Sequence, residues 1–233
     1  MSNLRIGICG WGNVATGLFK TLQTNAGEIK KRSNLEIEII AIGARRDNPK
    51  CDPGNIIIER DIFKIIDYDI DVVVELIGGV DVARDLIIKS LNAKKNVVTA
   101  NKAVIFNHGD ELLSTANKNG VNLLYESSVC AGTPIIKLLN QELAASKISK
   151  ISGMLNGTSN YILSNMEEGM EFEQTLKLAQ EKGYAEPDPT FDIEGTDAAH
   201  KIGILSSLAF GSSLPPKDFY IEGINEIHKR SEE

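Results

Sequence analysis

The sequence predicts an α/β fold that begins with a doubly wound parallel sheet. Over the first 125 residues, short apolar runs alternate with segments of helical periodicity, which is the pattern of consecutive βαβ units. The apolar runs are continuous rather than alternating, so the strands are expected to be covered by helices on both faces. A glycine-rich turn directly after the first run is the third observation that favours this fold.

Composition excludes several classes of protein. The chain has 233 residues, of which 42% are hydrophobic and 24% charged, and these values are ordinary for a globular protein. A formal net charge of −7 argues against a nucleic-acid binder. The three cysteines and three histidines form no CxxC or HxxxH spacing, so structural zinc is not expected. Three cysteines that cannot all pair predict a cytoplasmic protein, and no apolar run reaches the roughly 20 residues of a membrane span.

Each element of the first part is predicted from its own run of residues. The predicted strands are Leu4–Cys9, Glu36–Ile42, Asp71–Leu76, Asn96–Thr99 and Val121–Tyr125. The predicted helices are Asn13–Gln23, Val82–Leu91 and Asp110–Asn119. Strands joined through helices form right-handed crossovers, so these elements are expected to build one parallel sheet.

The pattern changes after Tyr125, and we predict a first domain of residues 1–125 and a second domain of residues 126–233. The second domain is predicted to be α/β with a mixed sheet, incomplete at its C-terminal end. Its predicted elements are helix Pro134–Ala145, strand Lys150–Leu155, a helix from the NGTSNY turn at 156–161 to about Glu168, helix Phe172–Lys182, loop Tyr184–Ile193 and helix Thr196–Phe210. The polar segment Gly223–Glu232 is predicted to be an unpacked end.

The glycine-rich turn GWGNVA at 10–15 fits the pattern G-x-G-x-x-A between a strand and a helix. Gly10 permits a tight turn, Gly12 allows the backbone to approach a pyrophosphate, and Ala15 allows the helix to pack closely on the strand. The sequence therefore predicts a Rossmann-type dinucleotide site, with a purely structural glycine turn as the alternative. The predicted cofactor-binding residues of the turn are Gly10, Gly12, Asn13, Val14 and Ala15.

The end of the second predicted strand distinguishes between cofactors. An NAD site usually offers Asp or Glu there to the ribose 2′-hydroxyl, whereas this chain has Arg45 and Arg46, followed by Asp47. A guanidinium can pair with a 2′-phosphate and stack on adenine, so we expect a preference for NADP(H). Asp47 keeps NAD possible, and the alternative for the two arginines is a solvated surface pair.

A carboxylate and a lysine share one face of the helix predicted at 196–210. Asp197 and Lys201 are four residues apart, and their face continues into apolar residues. An exposed salt bridge is the usual explanation of such a pair, but on an apolar stripe the pair is expected to be partly buried and functional. His200 lies on another face and is assigned a structural or surface role.

Two further segments carry charged residues that suit a substrate site. The proline-containing loop at 183–195 holds four carboxylates, either as an acidic surface loop or as a rigid site for a cationic substrate. Lys102 follows the strand predicted at 96–99, which places it at the carboxyl edge of the sheet, where open α/β folds bind ligands.

Together the motifs resemble one family. The matching blocks, in order, are GWGNVA (10–15), VELIGG (74–79), TANKA (99–103), ESSVCAGTPII (126–136), LNGTSNYIL (155–163) and GYAEPDPTFDIEGTDAAHKIGIL (183–205). The chain closely resembles homoserine dehydrogenase from residue 4 to about residue 224. This resemblance implies an oxidoreductase that interconverts L-homoserine and L-aspartate 4-semialdehyde with NADP or NAD, in the biosynthesis of threonine, methionine and isoleucine.

The resemblance also implies roles for single residues. Two lysines would be catalytic: Lys201 would exchange a proton with the substrate oxygen, and Lys102 would lie beside nicotinamide and substrate. Glu186 and Asp197 would hold the substrate's amino group. The other residues implied are Gly157, Thr158 and Tyr184 in the substrate pocket and Gly183 at the cofactor.

A sodium ion is implied by the same resemblance. Its ligands would be the carboxylate of Glu126 and the backbone carbonyls of Val129, Ala131 and Thr133. Oxygen ligands suit a hard cation, and no soft ligand is needed. Cys130, within this segment, is interpreted as a packing residue.

The length of the chain raises an alternative. Members of the family continue for roughly another hundred residues, an ordinary domain-sized increment. That part is expected to complete the second domain and to contribute to a homodimer interface. The alternative function is therefore a catalytically idle NADP-binding or interaction module of the same fold. A weaker alternative is another dehydrogenase of this architecture. A phosphorylating semialdehyde enzyme would need a cysteine nucleophile, and nothing marks Cys130, the only thiol near the right region, as activated.

Overall fold

A computed structural model describes residues 2–216, 219–225 and 227 of the chain. Its sheet has six parallel strands in the order β3-β2-β1-β4-β5-β6. The strands are β1 Ser2–Cys9, β2 Leu35–Gly43, β3 Ile57–Glu59, β4 Val72–Glu75, β5 Asn96–Thr99 and β6 Leu123–Leu124. This strand order is that of two mononucleotide-binding halves, so the predicted α/β class and Rossmann-type sheet are confirmed.

Helices connect the strands, and the regular structure that follows β6 in the described residues is helical. They are α1 Asn13–Thr24, α2 Ala26–Ser33, α3 Asp81–Asn92, α4 Lys102–Asn119, α5 Ile135–Lys137, α6 Gly157–Glu167, α7 Phe172–Glu181, α8 Thr190–Ile193 and α9 Thr196–Phe210. Short 3-10 segments occur at Ile62–Asp67 and Glu126–Ser128, and a π-helical turn occurs at Leu138–Glu142. Of the helices described, none is long and apolar enough to cross a membrane.

The centre of the sheet is apolar on both faces. Ile8 of β1 and Val73 of β4 are fully buried, and Ile42 of β2 is buried beside them. Gly7 of β1 faces Ile65 and leaves no room for a Cβ. Because the side chains on both faces of the sheet are removed from water, the sequences of these strands are continuously apolar rather than alternating.

The last residues of four neighbouring strands form one row. Cys9 pairs with Gly43 on one side and with Glu75 on the other, and Glu75 pairs with Thr99. The row is the carboxyl edge of β2, β1, β4 and β5. Ligands of open α/β sheets bind at this edge, next to the point where the strand order reverses.

Three elements of the first part depart from the sequence prediction. α2 and β3 were not predicted, because α2 has no buried residue and β3 has only three residues. α4 begins at Lys102 rather than at Asp110, because the Asn101 side chain accepts a hydrogen bond from the Val104 N–H and caps the helix.

Several predictions for the second part are wrong in detail. The segment predicted as strand Lys150–Leu155 has no strand pairing, and all six strands of the described residues lie before it. The helix predicted to run to Ala145 ends in the π-helical turn at Glu142. Short helix α8 occupies part of the predicted loop.

The C-terminal segment is packed at its beginning, contrary to the prediction. The Ile224 N–H donates to the Ile193 carbonyl at 2.7 Å, and a Cβ on Gly223 would lie 2.8 Å from the same oxygen. The remainder of the segment at 226 and 228–232 lies outside the described residues.

The chain divides into two compact units, residues 1–134 and residues 135–233. The 3-10 segment Glu126–Ser128 thus falls in the first unit, whereas the sequence places the domain boundary at residue 126. The boundary at 126 stays a prediction. The sheet belongs to the first unit, and helices α5 to α9 belong to the second.

Burial of Cys9 generates a prediction about pH. Burial, followed by the nearby Glu75 carboxylate, raises the pKa of the Cys9 thiol from 9.0 to about 12. As pH rises, the thiol therefore ionises in the unfolded chain before it ionises in the folded chain. The contribution of the protonated thiol to stability is complete below pH 9.0 and is lost as pH rises toward 12. In that range the free energy of unfolding of the unsubstituted chain should fall more steeply with pH than that of Cys9→Ala. The difference between the two slopes should be about 1.4 kcal/mol per pH unit.

Urea titrations at several pH values would measure this difference. Ser90→Ala is the control, because it removes a buried hydroxyl that does not titrate, and it should keep the slope of the unsubstituted chain. Equal slopes for Cys9→Ala and the unsubstituted chain would contradict the prediction.

Candidate active site

The glycine turn lies over the carboxyl ends of the central strands. Gly10 has φ +106°, and a Cβ at this position would collide with the Leu76 carbonyl after β4. The Gly10 N–H donates to the Gly43 carbonyl at 2.8 Å. Only glycine combines this backbone angle with so close an approach, so the turn is fixed at the point where strand order reverses.

The same turn leaves the N-terminus of α1 open. Gly12 is the N-cap residue, has no side chain to cap the helix, and would place a Cβ in open space. No acidic residue lies in the first turn of α1, Asn13 and Val14 are exposed, and Ala15 packs against the sheet. Backbone N–H groups at such an end, with the helix dipole, are suited to bind a pyrophosphate.

Asn48 holds the turn from the side and was not singled out by sequence reasoning. Its amide donates to the Trp11 carbonyl and to Thr16 Oγ1, both at 3.0 Å. The Trp11 indole N–H donates to the Cys51 carbonyl at 3.3 Å, and its ring packs edge-on against Phe19. These contacts anchor the turn without covering Gly12.

Arg45 and Arg46 are exposed on the loop that leaves β2. Asp47 beside them accepts a hydrogen bond from Arg60 at 2.7 Å, and Arg60 also donates to the Ala44 carbonyl at 3.2 Å. Asp47 was the reason to keep NAD possible from the sequence, and its pairing with Arg60 was not predicted. In the structure the Asp47 carboxylate is engaged by a guanidinium, which leaves the loop rich in positive charge.

Lys102 is the first residue of α4 and lies directly beyond the carboxyl end of β5. It is half-buried. Asn101 and Thr99 form the connection that carries it from the sheet to the helix.

In the second unit, the buried Asp197 and the partly buried Lys201 form an ion pair on α9. The Lys201 ammonium donates to Asp197 Oδ2 at 2.7 Å and to the Leu155 carbonyl at 2.8 Å. The Asp197 side chain is 6% exposed and the Lys201 side chain 19% exposed. Within the described residues these are the two acceptors of Lys201, so one of its three N–H groups remains available to a ligand.

Asn156 completes this network. Its amide donates to Asp197 Oδ2 at 2.8 Å and to Asp192 Oδ1 at 2.7 Å, while its carbonyl oxygen accepts from the Ser159 N–H at 2.7 Å. Asn156 was not among the site residues predicted from the sequence. Its position directly before a helix is the signal for an N-cap, and the cap fixes the amide that reaches both carboxylates.

Other predicted substrate residues lie around the start of α6 and the end of α7. Thr158 is buried, and its hydroxyl donates to the Tyr184 carbonyl at 2.7 Å, while Gly157 is the first residue of α6. The Tyr184 side chain is 58% exposed and packs against Tyr161. Thr158 thereby links the NGTSNY segment to the loop after α7.

Gly183 and Glu186 frame that loop. Gly183 has φ +74° just after α7, a conformation that favours glycine. Glu186 is exposed, and its backbone carbonyl accepts a hydrogen bond from Gln180 at 3.2 Å. His200, outside the predicted site, packs edge-on against Phe191.

The residues implied for a cation occupy one tight segment of the first unit. Glu126 begins a 3-10 turn, and the Thr133 N–H closes a second turn onto the Cys130 carbonyl at 3.0 Å. Among the described residues, no cluster of three or more His, Cys, Asp or Glu could hold a metal ion. A cation here would therefore depend on backbone carbonyls, such as those of Val129, Ala131 and Thr133, together with one carboxylate.

A turn that can hold a pyrophosphate and a lysine that can exchange a proton are what a nicotinamide-dependent dehydrogenase requires, and the fold points to this class. Family models identify it further. A model described as the NAD binding domain of homoserine dehydrogenase matches residues 10–126, and one described as homoserine dehydrogenase matches residues 134–233. The chain belongs to the homoserine dehydrogenase family.

Individual relatives agree with this assignment. Homoserine dehydrogenase of Pseudomonas aeruginosa is 48% identical over 97% of this chain and 53% of its own length. The crystal structure of a homoserine dehydrogenase from Thiobacillus denitrificans is 42% identical, with a TM-score of 0.88, over 95% of this chain and 52% of that one. A hyperthermophilic archaeal homoserine dehydrogenase in complex with NADPH is 26% identical, with a TM-score of 0.84, over 97% of this chain and 75% of that one. The chain spans about half the length of the curated relatives it matches.

Two glycines of the turn should respond differently to alanine. Gly10→Ala places a Cβ against the Leu76 carbonyl at a positive φ, so we expect the free energy of unfolding to fall by more than about 2 kcal/mol. The Cβ of Gly12→Ala meets no neighbour, so this variant should change the free energy of unfolding by less than about 1 kcal/mol. Its affinity for NADPH should nevertheless fall by about tenfold or more, because the Cβ blocks the approach of the pyrophosphate.

Urea denaturation and titration of NADPH fluorescence would measure the two effects. Gly54→Ala, at another positive φ with open space around it, is the control for strain without a cofactor effect. Unchanged NADPH affinity of Gly12→Ala would contradict the assignment of the turn.

Proposed function

We propose that the chain binds NADP(H) and interconverts L-homoserine and L-aspartate 4-semialdehyde by hydride transfer. The observation that carries this proposal is the partly buried Lys201–Asp197 pair on α9, in a chain of the homoserine dehydrogenase family. Membership of the family and a relative solved with NADPH support the choice of cofactor class. Such a reaction belongs to the biosynthesis of the aspartate-derived amino acids threonine, methionine and isoleucine.

The first unit supplies the residues for the cofactor. A bound nicotinamide provides or accepts the hydride. The turn at Gly10–Ala15 holds the pyrophosphate through backbone N–H groups, and Arg45 and Arg46 pair with the 2′-phosphate. Lys102 and Gly183 complete the proposed cofactor contacts.

Lys201 is the proposed proton donor and acceptor at the substrate oxygen. As the carbonyl is reduced, its oxygen gains negative charge, and the ammonium of Lys201 stabilises that charge and delivers a proton. Asp197 and the Leu155 carbonyl keep the ammonium in place, so the N–H that remains is directed before substrate arrives. Asn156 is added to the proposed site because it holds Asp197.

The remaining residues are proposed to bind the amino acid. Glu186 and Asp197 hold its ammonium group, and Lys102 lies beside both substrate and nicotinamide. Gly157, Thr158 and Tyr184 line the pocket. The hydrogen bond from Thr158 to the Tyr184 carbonyl supports this grouping, because it joins two of the three.

Sodium is proposed at Glu126, Val129, Ala131 and Thr133. The donor set is one carboxylate and three carbonyl oxygens, which fits a hard monovalent cation. The ion would brace this turn, and no step of the reaction is assigned to it.

Assembly and location complete the proposal. We propose a homodimer, as in the family, and a cytoplasmic location, which the three free thiols support. Neither nucleic acid nor membrane is proposed as a partner, in line with the net charge of −7.

Replacing Lys201 tests the reaction. Lys201→Ala should lower kcat for homoserine oxidation with NADP⁺ by about 10²- to 10⁴-fold, the usual contribution of a general acid–base group, while the Kd for NADPH stays within about twofold. The absorbance of reduced nicotinamide measures the first quantity, and fluorescence titration measures the second.

Lys177→Ala is the matched control, because Lys177 is an exposed lysine on α7 of the same unit. Turnover of Lys201→Ala near that of the unsubstituted chain would remove Lys201 from the role. Cofactor binding without turnover in the unsubstituted chain would instead support the alternative, an idle NADP-binding module.

The proposed cofactor preference is tested by removing both arginines of the loop after β2. Arg45→Ala combined with Arg46→Ala should weaken NADPH binding by about tenfold or more, because charged hydrogen bonds to the 2′-phosphate are lost, and should leave NADH binding within about twofold. Isothermal titration with each nucleotide gives the two constants.

Arg32→Ala is the control, since Arg32 is an exposed arginine of α2 that precedes β2 rather than following it. NAD⁺ binding tighter than NADP⁺ by the unsubstituted chain would overturn the preference.

A further inference from the structure

The carboxyl edge of the sheet holds a buried acid to which the proposed reaction assigns no role. Glu75 is the last residue of β4, and its side chain is fully buried. A carboxylate removed from water is costly unless its oxygens accept hydrogen bonds. Its partners therefore indicate what it holds in place.

Each oxygen of Glu75 binds a different connection. Oε1 accepts from the Ile77 N–H at 2.8 Å, in the loop that leaves β4. Oε2 accepts from the Thr99 hydroxyl at 2.5 Å, at the end of β5. The Thr99 oxygen itself accepts from the Asn101 N–H at 3.0 Å, so its own hydrogen is the one directed at Glu75.

Asn101 closes the network between the two loops. Its amide donates to the Gly79 carbonyl at 2.6 Å, and its oxygen caps α4 at the Val104 N–H. Gly78 and Gly79 both have positive φ, and a Cβ at either would meet nothing within 4 Å. Packing therefore does not define the Gly78–Gly79 end of this loop, which is held by the hydrogen bonds of Ile77 to Glu75 and of Gly79 to Asn101.

The two loops belong to the second mononucleotide-binding half of the sheet. In a doubly wound fold of this strand order, β1 to β3 receive the adenosine half of a dinucleotide, and β4 to β6 receive the other half. Loop 76–79 leaves β4, and the connection 100–101 leads from β5 to Lys102. A network that fixes these loops therefore acts on the nicotinamide half.

We propose that Glu75 is a positioning residue that, through Thr99 and Asn101, fixes the two loops that receive the nicotinamide half of the dinucleotide. The inference rests on the proposed binding of NADP(H). Preformed loops lower the cost of ordering the chain when the ligand binds, so the network contributes to affinity without touching the cofactor. The adenosine half, bound at the other end of the sheet, does not depend on it.

Thr99→Val tests this role, because it keeps the shape of the side chain and removes the hydroxyl that reaches Glu75. We expect the Kd for NADPH to rise by about tenfold, in the range for losing a hydrogen bond to a charged group. The Kd for adenosine 2′,5′-bisphosphate, which lacks the nicotinamide half, should stay within about twofold. Thr99→Ser retains the hydroxyl and should restore NADPH affinity.

Isothermal titration with both ligands and a thermal melt of each variant complete the experiment. Ser90→Ala removes another fully buried hydroxyl, one that donates to the Leu86 carbonyl within α3, and should alter neither Kd. If Thr99→Val does not fold, Glu75→Gln is used instead. This variant keeps the size of the side chain and replaces one carboxylate oxygen, an acceptor, with an NH₂ group. The same selective loss of NADPH affinity is expected.

Three results would overturn the proposal, and the first two are distinguishable from the third. An equal loss for NADPH and the bisphosphate, or no loss in Thr99→Val, would remove the positioning role while leaving dinucleotide binding intact. Binding of neither ligand by the unsubstituted chain would overturn the proposed function, and the positioning role with it.

Discussion

The parallel pairing of β1, β4 and β5 is the constraint on which the first unit depends. Because these strands run in one direction and in register, their last residues, Cys9, Glu75 and Thr99, form a row at the carboxyl edge. The loops that leave this edge therefore start from fixed points, among them the turn at Gly10. A register shift of one residue in β4 would turn Glu75 to the other face and separate it from Thr99.

Each unit uses a buried carboxylate to hold the start of a helix near a lysine. In the first unit, Glu75 acts through Thr99 on Asn101, which caps α4 just before Lys102. In the second, Asp197 binds Lys201 and Asn156, and Asn156 caps α6. Because a buried carboxylate must keep its donors, it fixes chain segments more tightly than apolar packing alone does.

Sequence periodicity predicted most elements that bury an apolar face, although it missed the beginning of α4, where Val104 and Ile105 are buried. Helix α9 has the predicted bounds, Thr196–Phe210, because apolar residues fill it and Gly211 ends it, whereas α2 buries nothing and left no pattern. The pairing of Asp197 with Lys201 is local, so spacing found it. Asn156 reaches Asp197 across 41 residues and Thr99 reaches Glu75 across 24, and no local pattern encodes such contacts.

Under the proposed function, the hydrogen-bond network around Glu75 affects cofactor affinity, and the network around Asp197 affects proton transfer. Glu75 takes the hydrogen bonds described above from Ile77 and Thr99, and Asp197 takes its own from Asn156 and Lys201, so each network lies within one unit. Looser loops after β4 and β5 change how tightly a dinucleotide is held in the ground state. In the proposed reaction, a change at Lys201 would alter the stabilisation of charge that develops only during reaction, which would appear in kcat. Measurements of binding and of turnover therefore test these two networks separately, and binding alone is not proof of catalysis.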